Sequence, residues 1–366
     1  MGERCRPASG PMIGGQLPWL GRHLARRIGR RLAGGGHQAQ ALPAPELVGT
    51  SEKLDCPPAL YDPDTLSRVI SCGFNGTLAE EVAKLEQTSF ETRPMALYDL
   101  GPAAVMGHGV ESRATSVWMG PRSAVSTLTR PVEAFDTLYL ANSIQGLQYF
   151  GHWLRDDCAA FEHLVSLGDV RSLRRPAWPD CAGYEAIFGQ NWREVDNAIA
   201  ERLVLQRELG FNTDKARRIE ALRARLRAAL EAPNAGRVVY LKRGDMGAGR
   251  NPANEDAVTS ALMDAGVVVV TPERGIAETL STLLDAAIIV TMEGSQAAHG
   301  VFALRPGGAM LILQPPRRFY NPHHEWTRLL GMHYATVIGE DLGGGRDFTI
   351  KPNEIIAMVE RLSAHS

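Results

Sequence analysis

The 366-residue chain has no run of about 18 to 20 consecutive apolar residues, so no membrane-spanning helix is expected. It also lacks the unbroken apolar stretch of about 7 to 15 residues that an export signal carries behind its positive start. The nearest candidate, "PWLGRHLARRIGRRLAGGG", is interrupted by Arg throughout, and a cytoplasmic location is the expectation. Cysteine is scarce. The five, at 5, 56, 72, 158 and 181, are odd in number and widely spaced, and none forms a CxxC or His/Cys group with zinc spacing. Reduced thiols follow. A net charge of -2 gives the whole molecule no electrostatic pull on nucleic acid. With 44% hydrophobic and 22% charged residues, the chain is neither disordered nor fibrous, and no internal repeat is visible.

The first forty residues differ from the rest, with seven Arg against one acid, Glu3. Trp19, Leu20, Leu24, Ile28 and Leu32 would form an apolar stripe on a helix whose other face is Arg-rich. A helix over 18–33 of that kind suits an anionic membrane surface; the competing readings are a disordered basic leader and a surface helix docked on its own domain. Residues 34–64, rich in Gly and Pro, read as a linker, so 1–64 is set apart from 65–235 and 236–366.

In 65–235, "TLYLANS" reads as a strand and "QYFGHWLRDDCAAF" as the helix after it, running to about Leu167. "DKARRIEALRARLRAALEA" is an amphipathic helix with Ile219, Leu222, Leu226 and Leu230 on one side. In 236–366, "RVVYLKR", "VVVVT", "IIVTM" and "AMLIL" are apolar runs without alternation, separated by helical patterns, and a last helix covers "PNEIIAMVERLSAHS". Asn254 stands as N-cap of one of these helices and Gly266 as its stop. Strands buried on both faces and alternating with helices make a parallel, Rossmann-like sheet.

Such sheets bind ligands beyond the carboxyl ends of their strands. Two ends carry suitable groups. Lys242 and Arg243 precede a Gly-rich loop and Arg250, and guanidinium groups grip phosphate oxygens in pairs. Glu293, Gly294, Ser295 and Gln296 turn a strand into a helix whose N–H groups face outward, with His299 one turn further on. Neither stretch is a dinucleotide or Walker fingerprint, and each alone has an ordinary alternative: a tight turn, surface cations, a satisfied buried histidine.

Three blocks together resemble glycosyltransferase family 61, formerly a domain of unknown function found in capsule synthesis proteins and eukaryotic glycosyltransferases. They are "YFGHWLRD", "VVYLKRGDMGAGRNPANEDAV" and "GIAETLSTLLDAAIIVTMEGSQAAHGVFALRPG", in an order and spacing that carry the likeness over roughly 90–335. Departures are Thr279, where the family often has Gln, and "CAAFEH", where a Leu-Pro-Arg run is common. The first touches a donor contact and the second the acceptor side. Glu293 and His299 look like a bacterial variant of the family's Gly-Ala block.

The resemblance implies an α/β, GT-B-like fold, two Rossmann-like domains facing across a cleft. It implies inverting transfer of a hexosyl or pentosyl group from a nucleotide sugar to a cell-surface glycan or glycolipid, with no cofactor and no required metal. On this reading 65–235 is the acceptor side and 236–366 binds the donor through Lys242, Arg243, Arg250, Glu293, Gly294, Ser295, Gln296 and His299. The acceptor side must supply a base. His152 and Asp156, four apart, share one face of an α-helix. Asp156 can orient the imidazole, or a bare carboxylate, Asp156 or Asp157, can itself be the base with His152 on a substrate oxygen. The plainer alternative is a buried polar network. Arg155-Asp156-Asp157 lacks the DxD spacing of metal-dependent transferases. Functions of another class remain: a polysaccharide pyruvyl transferase, or a non-catalytic subunit of a glycan-assembly complex.

Overall fold

Apolar runs that lack alternation become, as expected, parallel strands covered on both faces. A computed structural model describes residues 18–22, 24–25, 42–121, 123, 130–208, 210–244, 249–272, 275–343 and 347–365. Within the basic leader, 18–22 and 24–25 are helical, while Ile28 and Leu32 lie outside the described residues, as does most of the loop before Arg250. The chain divides into two compact units, neither continuous in sequence. The first takes the described residues of Met1–Thr50, Pro94–Trp178 and Gln190–Gly210; the second takes those of Ser51–Arg93, Pro179–Gly189 and Phe211–Ser366.

The second unit is built on five parallel strands. In sequence they are Val238–Leu241, Val268–Val270, Ile288–Met292, Ala309–Gln314 and His333–Ile338, and in space they run 2-1-3-4-5. The order reverses between Val238–Leu241 and Ile288–Met292, and a crevice opens at such a point beyond the strand ends. Ile289, Val290, Met292, Leu311 and Leu313 are at most 1% exposed. Each side chain buried in this way contributes about 1.5–3 kcal/mol relative to exposure, before entropy is subtracted. The helices Glu255–Asp264, Ile276–Leu283, Ala297–Ala303 and Pro352–Ser363 fall where the sequence places them. Asn254 does not cap with its side chain. It bonds the backbone of Ile350 instead, donating to the carbonyl at 2.8 Å and accepting from the N–H at 3.1 Å.

The amphipathic helix is Thr213–Ala229, capped by Asn212, whose side chain accepts from the Lys215 N–H at 2.8 Å. It belongs to the second unit. Ile219, Leu222 and Leu226 are buried on it, together with Arg223. Arg223 donates to the carbonyls of Val301 and Leu304 and so closes the carboxyl end of Ala297–Ala303.

The sheet of the first unit is mixed: parallel strands of the kind expected are joined by antiparallel ones. Its longest strand, Asn197–Arg207, pairs parallel with Glu133–Leu140 but antiparallel with Ala103–Met106 and Met95–Asp99. Ala103–Met106, Gly109–Ser112 and Ser116–Trp118 form an antiparallel meander. The reason is local. Only Gly107 and His108 separate the first two of these strands, with Gly107 at φ +62, and a two-residue connection joins antiparallel neighbours only. Part of the expected linker is also structured. Glu46–Val48 pairs with Met95–Asp99, and Lys53–Asp55 pairs with Ser89–Glu91, because Gly and Pro end helices but leave extended segments able to pair.

Candidate functional site

The first unit brings His152 and Asp156 together. Their helix follows the parallel strand Glu133–Leu140 and has three parts: Phe150–His152, a π turn over Trp153–Asp157, and Cys158–Leu164. In the π turn the Cys158 N–H reaches back five residues to the Trp153 carbonyl. Such turns insert one residue into a helix and redirect its side chains, and they recur at functional sites. Trp153 and Leu154 are fully buried, and the Arg175 guanidinium lies 5.0 Å from the Trp153 ring centre, which pins this turn. His152 Nδ1 lies 2.7 Å from Asp156 Oδ2, with side chains 34% and 19% exposed. An ionised carboxylate only accepts, so Nδ1 is the donor of this bond, which in the neutral imidazole leaves the lone pair on Nε2. That is the state of an imidazole ready to take a proton.

Asp157 does something else. It is 1% exposed, and its Oδ1 accepts from the Ser143 N–H at 3.0 Å. Burial, opposed by the bonds to Ser143, raises its carboxyl well above the usual range. A Cβ at Gly146 would lie 2.1 Å from its Oδ2, so the loop is closed over it. Asp157 therefore ties the loop after Glu133–Leu140 to the helix, and the expectation that it is a candidate base is corrected on access alone.

The second unit gathers three arginines and a glutamate beyond the carboxyl ends of three adjacent strands, with Arg250 in the same loop as Arg243. Arg243 follows Val238–Leu241, Glu293 follows Ile288–Met292 and Arg318 follows Ala309–Gln314. Glu293, 3% exposed, receives Arg250 through Nη1 and Arg318 through Nε at 3.1 Å on the same carboxylate oxygen. Arg243, 8% exposed, donates through Nη1 to the Glu293 carbonyl and to Gln296 Oε1, both at 2.9 Å. Its acceptors are neutral, and its buried Nε has no hydrogen-bond partner among the described residues. Burial, followed by the charges of Arg250 and Arg318, pulls its pKa down to about 10, which leaves it cationic near neutral pH. Three guanidiniums against one carboxylate leave a local charge of about +2, at a place where the sheet order opens a crevice.

Gly294 is required here. Its φ is +149, and a Cβ would lie 1.9 Å from Arg243 Nη1. Gln296 holds the turn by donating to the Met292 carbonyl at 2.7 Å. The outward-facing N–H groups expected at the helix start are already used. The helix begins at Ala297, and the N–H groups of Ala297, Ala298 and His299 bond the carbonyls of Gly294, Ser295 and Gln296. Ser295 is half-buried in that turn.

Two further residues expected at the donor site have partners of their own. Lys242 Nζ stands 3.9 Å from Glu255 at the head of Glu255–Asp264. His299 is buried, bonds the Tyr184 hydroxyl through Nδ1 at 2.7 Å and stands 3.6 Å from Asp180. Burial lowers its pKa to about 4, so it is neutral and positions its helix. Arg318 went unnoticed in the sequence, although "LILQPPRRFYNP" offers the same signal as the other two sites, cations just past an apolar strand. His323 was missed as well; its Nε2 lies 3.1 Å from the Gly294 carbonyl. Among the described residues no three His, Cys, Asp or Glu gather as ligands of a metal ion.

Residues 150–311 match the family model described as Glycosyltransferase 61, a narrower span than the three blocks suggested. It runs from the His152 helix through Arg243 and Arg250 to the Glu293 turn and stops before Arg318. No curated protein matches the chain. The His152–Asp156 pair and the Arg243–Glu293 turn both lie inside residues 150–311, the span over which the chain is similar to glycosyltransferase family 61.

Proposed function

We propose that the protein is an inverting, metal-independent glycosyltransferase that uses a nucleotide sugar. Arg243, Arg250 and Arg318 hold the donor diphosphate, and His152 Nε2, oriented by Asp156, takes the proton of an acceptor hydroxyl. The acceptor oxygen then bonds the anomeric carbon from the face opposite the leaving group. The bond from that carbon to the diphosphate oxygen breaks with its electrons going to the diphosphate, and the fixed guanidiniums stabilise the charge that develops there. A GT-B-like arrangement of the two units, a hexosyl or pentosyl donor and a cell-surface glycan or glycolipid acceptor belong to the same proposal.

One observation carries it: a buried arginine with neutral bonding partners and an unpartnered Nε, crowded by two further arginines at the reversal point of a parallel sheet. An anion with two negative charges relieves that crowding. The test is a screen of nucleotide sugars by thermal shift, followed by slow hydrolysis in the presence of EDTA. One donor should raise the melting temperature and release nucleoside diphosphate, and the anomeric configuration of the product should be opposite to the donor's. Activity lost in EDTA and restored by Mn²⁺ would overturn the metal-independent part. A search in which no nucleotide sugar stabilises or turns over would remove the donor reading, and transfer of a pyruvyl group from added phosphoenolpyruvate to a glycan, with release of phosphate, would replace it.

Contact with the inner face of a membrane through residues 18–33 is a further part of the proposal, motivated by the Arg-rich leader. At low salt, vesicles with anionic lipid should bind the full chain and not a chain lacking residues 1–40. Equal binding of both forms would end the idea.

A further inference from the structure

Beside the arginine cluster the second unit carries an aromatic ring in an unusual position. Phe74 has φ +51 and Asn75 φ +59, and the only other non-glycine residue with positive φ among the described residues is Asp285. Asn tolerates this left-handed region; a bulky aromatic does so at a cost that its surroundings must offset. The usual offset is burial, yet Phe74 is 60% exposed. The ring is nonetheless held. Tyr320 meets it in a T-shaped contact, 5.0 Å between ring centres, and the Arg318 guanidinium carbon lies 4.9 Å from its centre. The segment beneath is stitched to the loop that bears Arg318: Gly73 N–H donates to the Phe319 carbonyl, Phe319 N–H to the Ser71 carbonyl, and Ser71 Oγ to the Arg317 carbonyl. A Cβ at Gly73 would lie 2.9 Å from Tyr320 Cβ, so the two segments touch closely. That loop is fixed in turn by the buried Glu81, which accepts from the Asn321 N–H at 2.8 Å.

Arg318 connects the ring to the anion site, since the same side chain that lies over Phe74 donates to Glu293. We infer that Phe74 is the platform on which the nucleobase of the donor stacks, while the diphosphate lies on the arginines. The inference rests on the proposed donor site and deepens it. An exposed π-face with no hydrogen-bonding group accepts any base, so the platform supplies affinity for a nucleotide over bare pyrophosphate, and choice among bases lies with other groups. The strained backbone is what aims the ring outward.

The test titrates the full-length protein with UDP, GDP, CDP, ADP and inorganic pyrophosphate by calorimetry. The wild type should bind at least one diphosphate nucleotide more tightly than pyrophosphate. Phe74→Ala should weaken that nucleotide by roughly tenfold or more and leave pyrophosphate unchanged, and Phe74→Trp should restore binding. Phe74→Gly guards against misfolding, because Gly adopts the left-handed conformation freely. It should keep or raise the melting temperature and still lose the preference for the nucleotide. A Phe74→Gly protein that retains full nucleotide affinity, or one that loses nucleotide and pyrophosphate equally, overturns the platform while the donor site stands. A wild type that binds neither nucleotide nor pyrophosphate removes the donor site and the platform with it.

Discussion

Arg243→Ala should lower kcat by about a hundredfold or more and raise the donor KM, the scale of losing a fixed donor from a charge-developing transition state. Arg250 and Arg318 both spend a hydrogen bond on Glu293, whereas Arg243 bonds only a carbonyl and an amide oxygen. Its charge is thus the least compensated of the three. Because the diphosphate gains charge as it leaves, the loss should be larger in kcat than in KM. Gly294→Ala should give the same phenotype by another route. Its Cβ would occupy the place of Arg243 Nη1, and the guanidinium must move although its charge remains. Arg243→Lys keeps a charge but loses the planar guanidinium and its Nε, so it should fall between. Steady-state kinetics on the three proteins, with melting temperatures, checks this. A loss under tenfold for Arg243→Ala in a folded protein would mean that the anion lies elsewhere.

The contrast between the two units explains what the sequence could disclose. Strands such as Ile288–Met292 and Ala309–Gln314 are legible because burial on both faces writes an unbroken apolar run, and the rule about strand ends then leads to Arg243 and Glu293. Arg318 obeys that rule too, but two prolines and a loop separate it from its strand, and its role depends on which strands are neighbours in space. Neighbourhood is not written locally. The meander in the first unit turns on the two-residue connection at Gly107 and His108, and Gly107 is one glycine among many in the sequence. His299 and Lys242 illustrate the opposite limit. Both stand at the expected positions in the chain, but tertiary partners, Tyr184 and Glu255, claim their side chains. The spacing of His152 and Asp156 was readable as helical periodicity, whereas the π turn that sends Asp157 inward has no periodic signature.

That π turn sets up the second large effect. His152→Ala and Asp156→Asn should each reduce kcat by about a hundredfold or more, the usual contribution of a general base, with little change in donor affinity. Removing Asp156 frees the imidazole to adopt the other tautomer, in which Nε2 carries the proton and cannot accept one. Asp157→Asn, one residue away, should behave differently. The amide oxygen still accepts from the Ser143 N–H, so turnover should stay within a few-fold of wild type. Its effect should appear in stability against pH. The Asp157 carboxyl is raised in the folded protein, so the unfolded chain ionises first as pH rises, beginning near the ordinary value of about 3.9. The stability linked to Asp157 is therefore complete below that value and is lost as pH climbs toward the folded-state value. Asparagine has no such proton to lose, and the melting temperature of Asp157→Asn relative to wild type should increase as pH rises from about 4 toward the folded-state value. Turnover, donor affinity and melting curves on the three variants separate the roles. If His152→Ala and Asp156→Asn fold and turn over normally, the pair is a structural contact. If Asp157→Asn alone is inactive while folded, the buried carboxyl is the working group and the assignment of the base must move one residue along the chain.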